Sequence, residues 1–290
     1  MQTTAERRAL QQLTNERGWL AIVACDQRQS LAKLRQRAGL SADLDELRAL
    51  KGDIVSALGP DASAVLLDPE IALPELVDDG LVPRDTGILV ATERSGGHVS
   101  NGLRIVDLVL DPSDVRRLGG TAAKLLVYIR PDREDADGPN GRLVARFAAE
   151  CAAADLLLVV EVLTYRLPDE DAAAFERRKP DLSLDAALLV ESRGAKLLKL
   201  ESPRSEAGCR HLTDSLSVPW AVLSAGVDHE TFKVTLQQAV AGGASGFIAG
   251  RSLWKEAALL PAAERRSFLE SDGRRRLAEL LALLPSAERV

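Results

Sequence analysis

The chain has 290 residues, a formal net charge of −6, 46% hydrophobic residues and only 3% aromatics. That length and apolar content suit one large α/β core, and the scarcity of aromatics argues against an aromatic-cored β-sandwich. The Arg-rich stretches near 173–179 and 264–276 are interleaved with Asp and Glu, so no cationic face persists for a nucleic-acid backbone.

The opening segment MQTTAERRALQQL carries charge where a secretory signal requires an apolar core, and no run approaches the length needed to span a bilayer. A cytoplasmic protein is expected, with neither nucleic acid nor membrane as partner. Cys25, Cys151 and Cys209 are too few and scattered for a disulfide framework, so reduced thiols are expected. His98, His211 and His229 lack metal-ligand spacing, and neither a metal nor a cofactor is expected.

In chain order, eight apolar runs lack polar alternation, as parallel strands buried on both faces do. They are WLAIVAC (19–25), SAVLLD (63–68), GILVATE (87–93), AAKLLVYI (122–129), LLLVVEVL (156–163), AKLLKLES (195–202), WAVLSAG (220–226) and GFIAGR (246–251). Segments 44–58, 141–154, 184–193 and 229–242 carry apolar stripes at helical period. The alternation predicts a (β/α)₈ TIM barrel occupying 1–290 as a single domain. An open doubly wound sheet is the alternative, but no GxGxxG follows the first strand. The charged, proline-containing segments 130–141 and 165–185 read mainly as loops on the C-terminal rim, and 262–284 as one or two closing helices.

A barrel interior is packed with side chains, so an inward charge must be paired or lie at the solvated catalytic end. Asp26, Asp68, Lys124, Glu161, Lys199 and Arg251 are such charges. Strand parity puts Leu197, Lys199 and Glu201 on one face, and Lys124, Leu126 and Tyr128 on another. The fourth and sixth strands are alternate strands, so Lys124 and Lys199 are expected to approach each other. Burial and a second cation both depress a lysine pKa and so favour the nucleophilic free amine. A paired structural lysine is the competing reading for Lys199. Glu161, one strand from each lysine, is the candidate general acid/base, with a counter-ion role as its alternative. Small residues in WAVLSAGVD (220–228) and SGFIAGRSLW (245–254), with Arg251 as a fixed guanidinium fork, read as a phosphate cradle after the last two strands.

The motifs ACDQR (24–28), AAKLLVYIRPD (122–132), GAKLLKLESP (194–203), PWAVLSAGVD (219–228) and GASGFIAGRSLW (243–254) resemble, in order across nearly the whole chain, the class I tagatose-bisphosphate and sulfofructosephosphate aldolases. The most specific piece is Lys199-Leu200-Glu201-Ser202-Pro203 combined with Asp26-Gln27-Arg28. The resemblance implies aldol cleavage of a ketose 1-phosphate to dihydroxyacetone phosphate and a three-carbon aldehyde. It makes Lys199 the Schiff-base lysine and Glu161 the proton-transfer residue. Asp26, Gln27 and Lys124 would contact the substrate, and Ser224, Gly226, Gly250 and Arg251 would hold its phosphate. It further implies a homodimer or homotetramer.

Segment 103–127 and Pro219-Trp220 resemble the sulfofructosephosphate branch, making 6-deoxy-6-sulfofructose 1-phosphate the favoured substrate, whereas TERSGG (92–97) has the character of the tagatose-bisphosphate branch. A phosphosugar isomerase or epimerase on the same barrel, and a non-catalytic phosphosugar-binding protein, are the functional alternatives.

Overall fold

The computed structural model describes residues 2–286; residues 1 and 287–290 of the expected domain lie outside the described residues. Its strands are β1 (Leu20–Ala24), β2 (Ala64–Leu67), β3 (Gly87–Ala91), β4 (His98–Ser100), β5 (Leu103–Ile105), β6 (Ala122–Tyr128), β7 (Leu157–Leu163), β8 (Leu197–Leu200), β9 (Trp220–Leu223) and β10 (Gly246–Ala249). Eight of them are parallel and close into a barrel in the order β1-β10-β9-β8-β7-β6-β3-β2, while β4 and β5 form a separate antiparallel hairpin.

The helices are α1 (Thr4–Leu13), α2 (Gln29–Arg37), α3 (Leu44–Leu58), α4 (Glu75–Asp78), α5 (Pro112–Arg117), α6 (Pro139–Ala153), α7 (Ala172–Ser192), α8 (Glu206–Ser215), α9 (His229–Ala241), α10 (Arg251–Trp254), α11 (Ala262–Phe268) and α12 (Arg274–Ala282). The fold is the expected (β/α)₈ barrel. Among the described residues no helix is long and apolar enough to cross a membrane. The three cysteines are buried free thiols.

Strand alternation divides the core in two. Ile22, Leu66, Leu89, Leu157, Val159, Leu197 and Ile248 meet inside the barrel, while Val23, Val65, Val90, Leu125, Val160 and Leu198 face the helical shell. The N-terminal end of the interior is closed by α1. Thr3 and Glu6 form its capping box, and Ala9 and Leu13 join the interior cluster. The fit is close, because a Cβ on Gly87 would sit 2.5 Å from the Gln12 carbonyl oxygen. With this end plugged, the C-terminal mouth is left for a ligand.

Two expectations change. The segment 165–185 is not mainly a loop, since α7 begins at Ala172 and runs through Pro180 to Ser192, with Asp171 accepting from the Ala174 amide as its N-cap. A proline inside a helix removes one hydrogen bond without ending the helix where packing supports both sides. Phe175 and Leu182, on either side of Pro180, are both buried. Asp68, counted among the inward charges, instead pairs with Lys51 of α3, both fully buried, and accepts from the Glu70 and Ile71 amides. It anchors the turn after β2 to the shell.

Candidate active site

The strands deliver their inward side chains to one level. Register pairs Glu161 on β7 with Lys199 on β8 and with Leu126 on β6, and Ala91 on β3 with Lys124 on β6. Lys199 Nζ donates to Glu161 Oε2 at 2.9 Å, and Lys124 Nζ lies 2.8 Å from the same oxygen. The approach of the two lysines expected from parity therefore occurs through a shared carboxylate.

The two amines have different surroundings. Lys124 is 1% exposed and lies within 3.1 Å of Asp26 Oδ2, Glu93 Oε1 and Glu161 Oε2, enough acceptors for all three ammonium hydrogens. Burial alone would push its pKa down, but Glu161, Glu93 and Asp26 outweigh burial and hold it well above the ordinary lysine value. The expected depression of a lysine pKa by a second cation is thus reversed at Lys124, because carboxylates stand between the cations. Among the described residues Lys199 has one carboxylate partner, and it lines an open cavity.

Burial would likewise raise Asp26 and Glu161, yet Lys124 first and Lys199 second hold both carboxyls below their ordinary values. Both are carboxylates at neutral pH. Gln27 Nε2 donates to Asp26 Oδ1 at 3.2 Å, and Gln27 Oε1 is buried without a partner.

The cavity has a volume of about 210 Å³. Lys199, Glu161 and Gln27 line it together with Ser224, Gly226, Gly250 and Arg251. Asp26 and Lys124 are not in its wall; they stand behind Glu161 and Gln27. Gly226 has φ +77°, and a Cβ there would lie 2.7 Å from Arg251 Nη2. A Cβ on Gly250 would lie 2.7 Å from the Ala24 carbonyl oxygen, and the Gly250 amide faces Ser224 Oγ at 3.5 Å. Glycine is therefore required at Gly250 by the neighbouring backbone and at Gly226 by conformation, where a side chain would also displace the Arg251 guanidinium. Among the described residues no carboxylate pairs with Arg251, so its charge is available to an anion.

Two polar residues of this cluster escape the sequence reading as site residues. Glu93 is 4% exposed, binds Lys124 and accepts from the Leu126 amide through its other oxygen. Arg28, at the end of the ACDQR motif, donates to Glu70 at 2.7 Å and to the Glu93 carbonyl at 2.8 Å. Parity would have found Glu93, which follows Leu89 and Ala91 at intervals of two. On the rim, Arg130 is fully buried and ties Asp132 to Glu170 and to the Tyr165 carbonyl, joining the loops after β6 and β7.

Among the described residues His229, Glu230 and Glu279 lie close enough together to hold a metal ion. The Glu279 carboxylate already binds His229, Lys233 and Arg275, which makes the group a clasp between α9 and α12.

Residues 20–256 match the family described as DeoC/LacD family aldolase. The tagatose 1,6-diphosphate aldolase of Listeria monocytogenes is 30% identical over 276 residues, covering 85% of this chain and 80% of that protein. The enzyme of the same name from Staphylococcus aureus is 31% identical over 281 residues, covering 86% and 84%. In fold the chain is similar to a Schiff-base-forming fructose-1,6-bisphosphate aldolase, with a TM-score of 0.67 at 16% identity over 96% of this chain and 99% of that one. It is also similar to an archaeal fructose 1,6-bisphosphate aldolase, with a TM-score of 0.65 at 16% identity over 95% and 98%. Family match, relatives and barrel agree: the chain belongs to the DeoC/LacD family of class I aldolases.

Proposed function

We propose that this aldolase cleaves a ketohexose 1-phosphate carrying a second anion at C6, releasing dihydroxyacetone phosphate and a three-carbon aldehyde. Lys199 is the Schiff-base nucleophile in this reading. The observation that carries it is the asymmetry between the lysines, since Lys124 is enclosed by three carboxylates and Lys199 faces the cavity with one.

The Lys199 amine, after losing a proton to Glu161, adds to the C2 carbonyl. Glu161 returns this proton to the C2 hydroxyl, which leaves as water, so that a protonated imine and the Glu161 carboxylate remain. That cation accepts the electron pair of the breaking C3–C4 bond and forms an enamine, while Glu161 takes the proton of the C4 hydroxyl as C4 becomes the aldehyde carbonyl. Protonation of the enamine carbon and hydrolysis of the imine then release dihydroxyacetone phosphate and restore Lys199. Its ionised state at neutral pH and its 2.9 Å contact to Lys199 Nζ suit Glu161 to receive protons. Lys124 fixes the position of that carboxylate. Ser224, Gly226, Gly250 and Arg251 hold the C1 phosphate, and the partnerless Gln27 Oε1 accepts from a substrate hydroxyl, with Asp26 orienting the Gln27 amide.

The curated relatives carry the name tagatose 1,6-diphosphate aldolase, which favours tagatose 1,6-bisphosphate as the substrate. The second reading is 6-deoxy-6-sulfofructose 1-phosphate, which the resemblance of segment 103–127 and Pro219-Trp220 supports. Assembly into a dimer or tetramer belongs to the same reading, and light scattering measures it.

A retro-aldol assay on the two candidates and fructose 1,6-bisphosphate, with detection of dihydroxyacetone phosphate, tests the proposal. Selective cleavage of tagatose 1,6-bisphosphate supports it. Proton exchange without cleavage favours the isomerase alternative, and binding without turnover favours the phosphosugar-binding one.

A further inference from the structure

We infer that Arg104, on the β4–β5 hairpin, receives the anion at C6 of the substrate. This rests on the proposed ketose 1-phosphate reading and names the group at the far end of the sugar. Arg104 lies outside every strand of the barrel, yet its backbone is held on both sides. Its amide donates to Tyr165 Oη at 3.1 Å, and its carbonyl accepts from the buried Asn140 Nδ2 at 3.1 Å.

Its guanidinium carbon stands 3.9 Å from the centre of the Tyr128 ring and 5.7 Å from that of Tyr165. The two rings meet edge to face at 6.3 Å, so the cation rests on a packed aromatic corner. Tyr128 shares the inward parity of Lys124 and Leu126, and its register partner Leu163 lines the cavity.

Charge accounting singles this residue out. Arg28, Lys124, Arg130, Arg178 and Lys179 around the mouth all have carboxylate partners. Among the described residues none pairs with Arg104, while Arg94, Arg133 and Arg166, also without such a partner, are exposed. A guanidinium immobilised by stacking and not neutralised is pre-organised for an oxyanion.

Barrel order supplies the direction. In the ring β10-β9-β8-β7-β6, the strands at the two ends are diametrically opposite. The phosphate cradle follows β9 and β10, Lys199 is on β8, Glu161 on β7, and Arg104 stacks over the end of β6. A ketose with its C1 phosphate in the cradle, C2 on Lys199 and the C4 hydroxyl at Glu161 runs toward Arg104 with its last carbons.

The test compares tagatose 1,6-bisphosphate with tagatose 1-phosphate, which has a neutral C6 hydroxyl. The wild-type enzyme should prefer the bisphosphate. Arg104→Ala should lower kcat/KM for the bisphosphate by about tenfold to a hundredfold, chiefly through KM, and leave the 1-phosphate within about twofold. Arg104→Gln, which keeps a planar group on Tyr128, should show the same selective loss if the alanine variant fails to fold, and Arg104→Lys should recover part of it. Equal losses on both substrates would mean that Arg104 only supports the hairpin, and overturn the inference. A bisphosphate preference that persists in Arg104→Ala overturns the receptor alone. A wild-type enzyme that cleaves both substrates equally well overturns the second anion and its receptor together.

Discussion

Lys199 Nζ lies 2.9 Å from Glu161 Oε2, the same oxygen that Lys124 Nζ reaches at 2.8 Å. One carboxylate oxygen thus joins a lysine that faces the cavity to a lysine enclosed by acids. The arrangement separates chemistry from structure, because removing each group disturbs a different part of it.

Glu161→Gln keeps the shape and removes the base. We expect kcat to fall by about 10²- to 10⁴-fold, the usual contribution of a positioned proton-transfer group. The Schiff base should still be trappable in this variant during long incubation, so rate and adduct separate. A turnover number near that of the wild type would assign Glu161 a counter-ion role instead.

Lys124→Met leaves Asp26, Glu93 and Glu161 buried without their shared cation. A loss of about 3–5 kcal/mol is expected, as for other buried ion pairs broken from one side. The pH dependence should change sign. In the wild type the depressed pKa values of Asp26 and Glu161 contribute stability that is complete above their ordinary values of 3.8 and 4.5 and is lost as pH falls through the lower folded values. In the variant the acids gain by binding protons, so its melting temperature should rise as pH is lowered from neutrality. Melting curves across pH check both trends.

The phosphate cradle is tested from its two sides. Arg251→Ala should raise KM for ketose 1-phosphates by about tenfold to a hundredfold and weaken inhibition by inorganic phosphate in parallel. Gly226→Ala should do the same without removing any charge, because its Cβ would lie 2.7 Å from Arg251 Nη2 and its backbone has φ +77°. Unchanged phosphate inhibition in both variants would place the anion elsewhere.

Much of this site was legible in the sequence because strand alternation is a strict rule. Counting by twos from Leu197 places Lys199 and Glu201 inside, and counting from Leu157 places Val159 and Glu161 there, as observed for the strands that carry them. Glu93 obeys the same rule at the end of the 87–93 run, yet it is not among the inward charges counted from the sequence. Asp68 misled although it shares the parity of Ala64 and Leu66: it follows the last residue of β2 and turns to Lys51. The extent of α7 was hidden by Pro180 and dense charge, whose local preferences are overridden by packing. That no carboxylate among the described residues pairs with Arg104 is a long-range fact, which no spacing along the chain records.

Schiff-base chemistry in this barrel depends on Lys199 as the covalent nucleophile. Borohydride reduction in the presence of dihydroxyacetone phosphate, followed by proteolysis and mass spectrometry, measures this directly. The expected result is one stoichiometric adduct on the peptide containing Lys199, absent from a folded Lys199→Met variant whose kcat is lower by on the order of 10³-fold or more. An adduct on Lys124, or none on the folded wild-type protein, would contradict it.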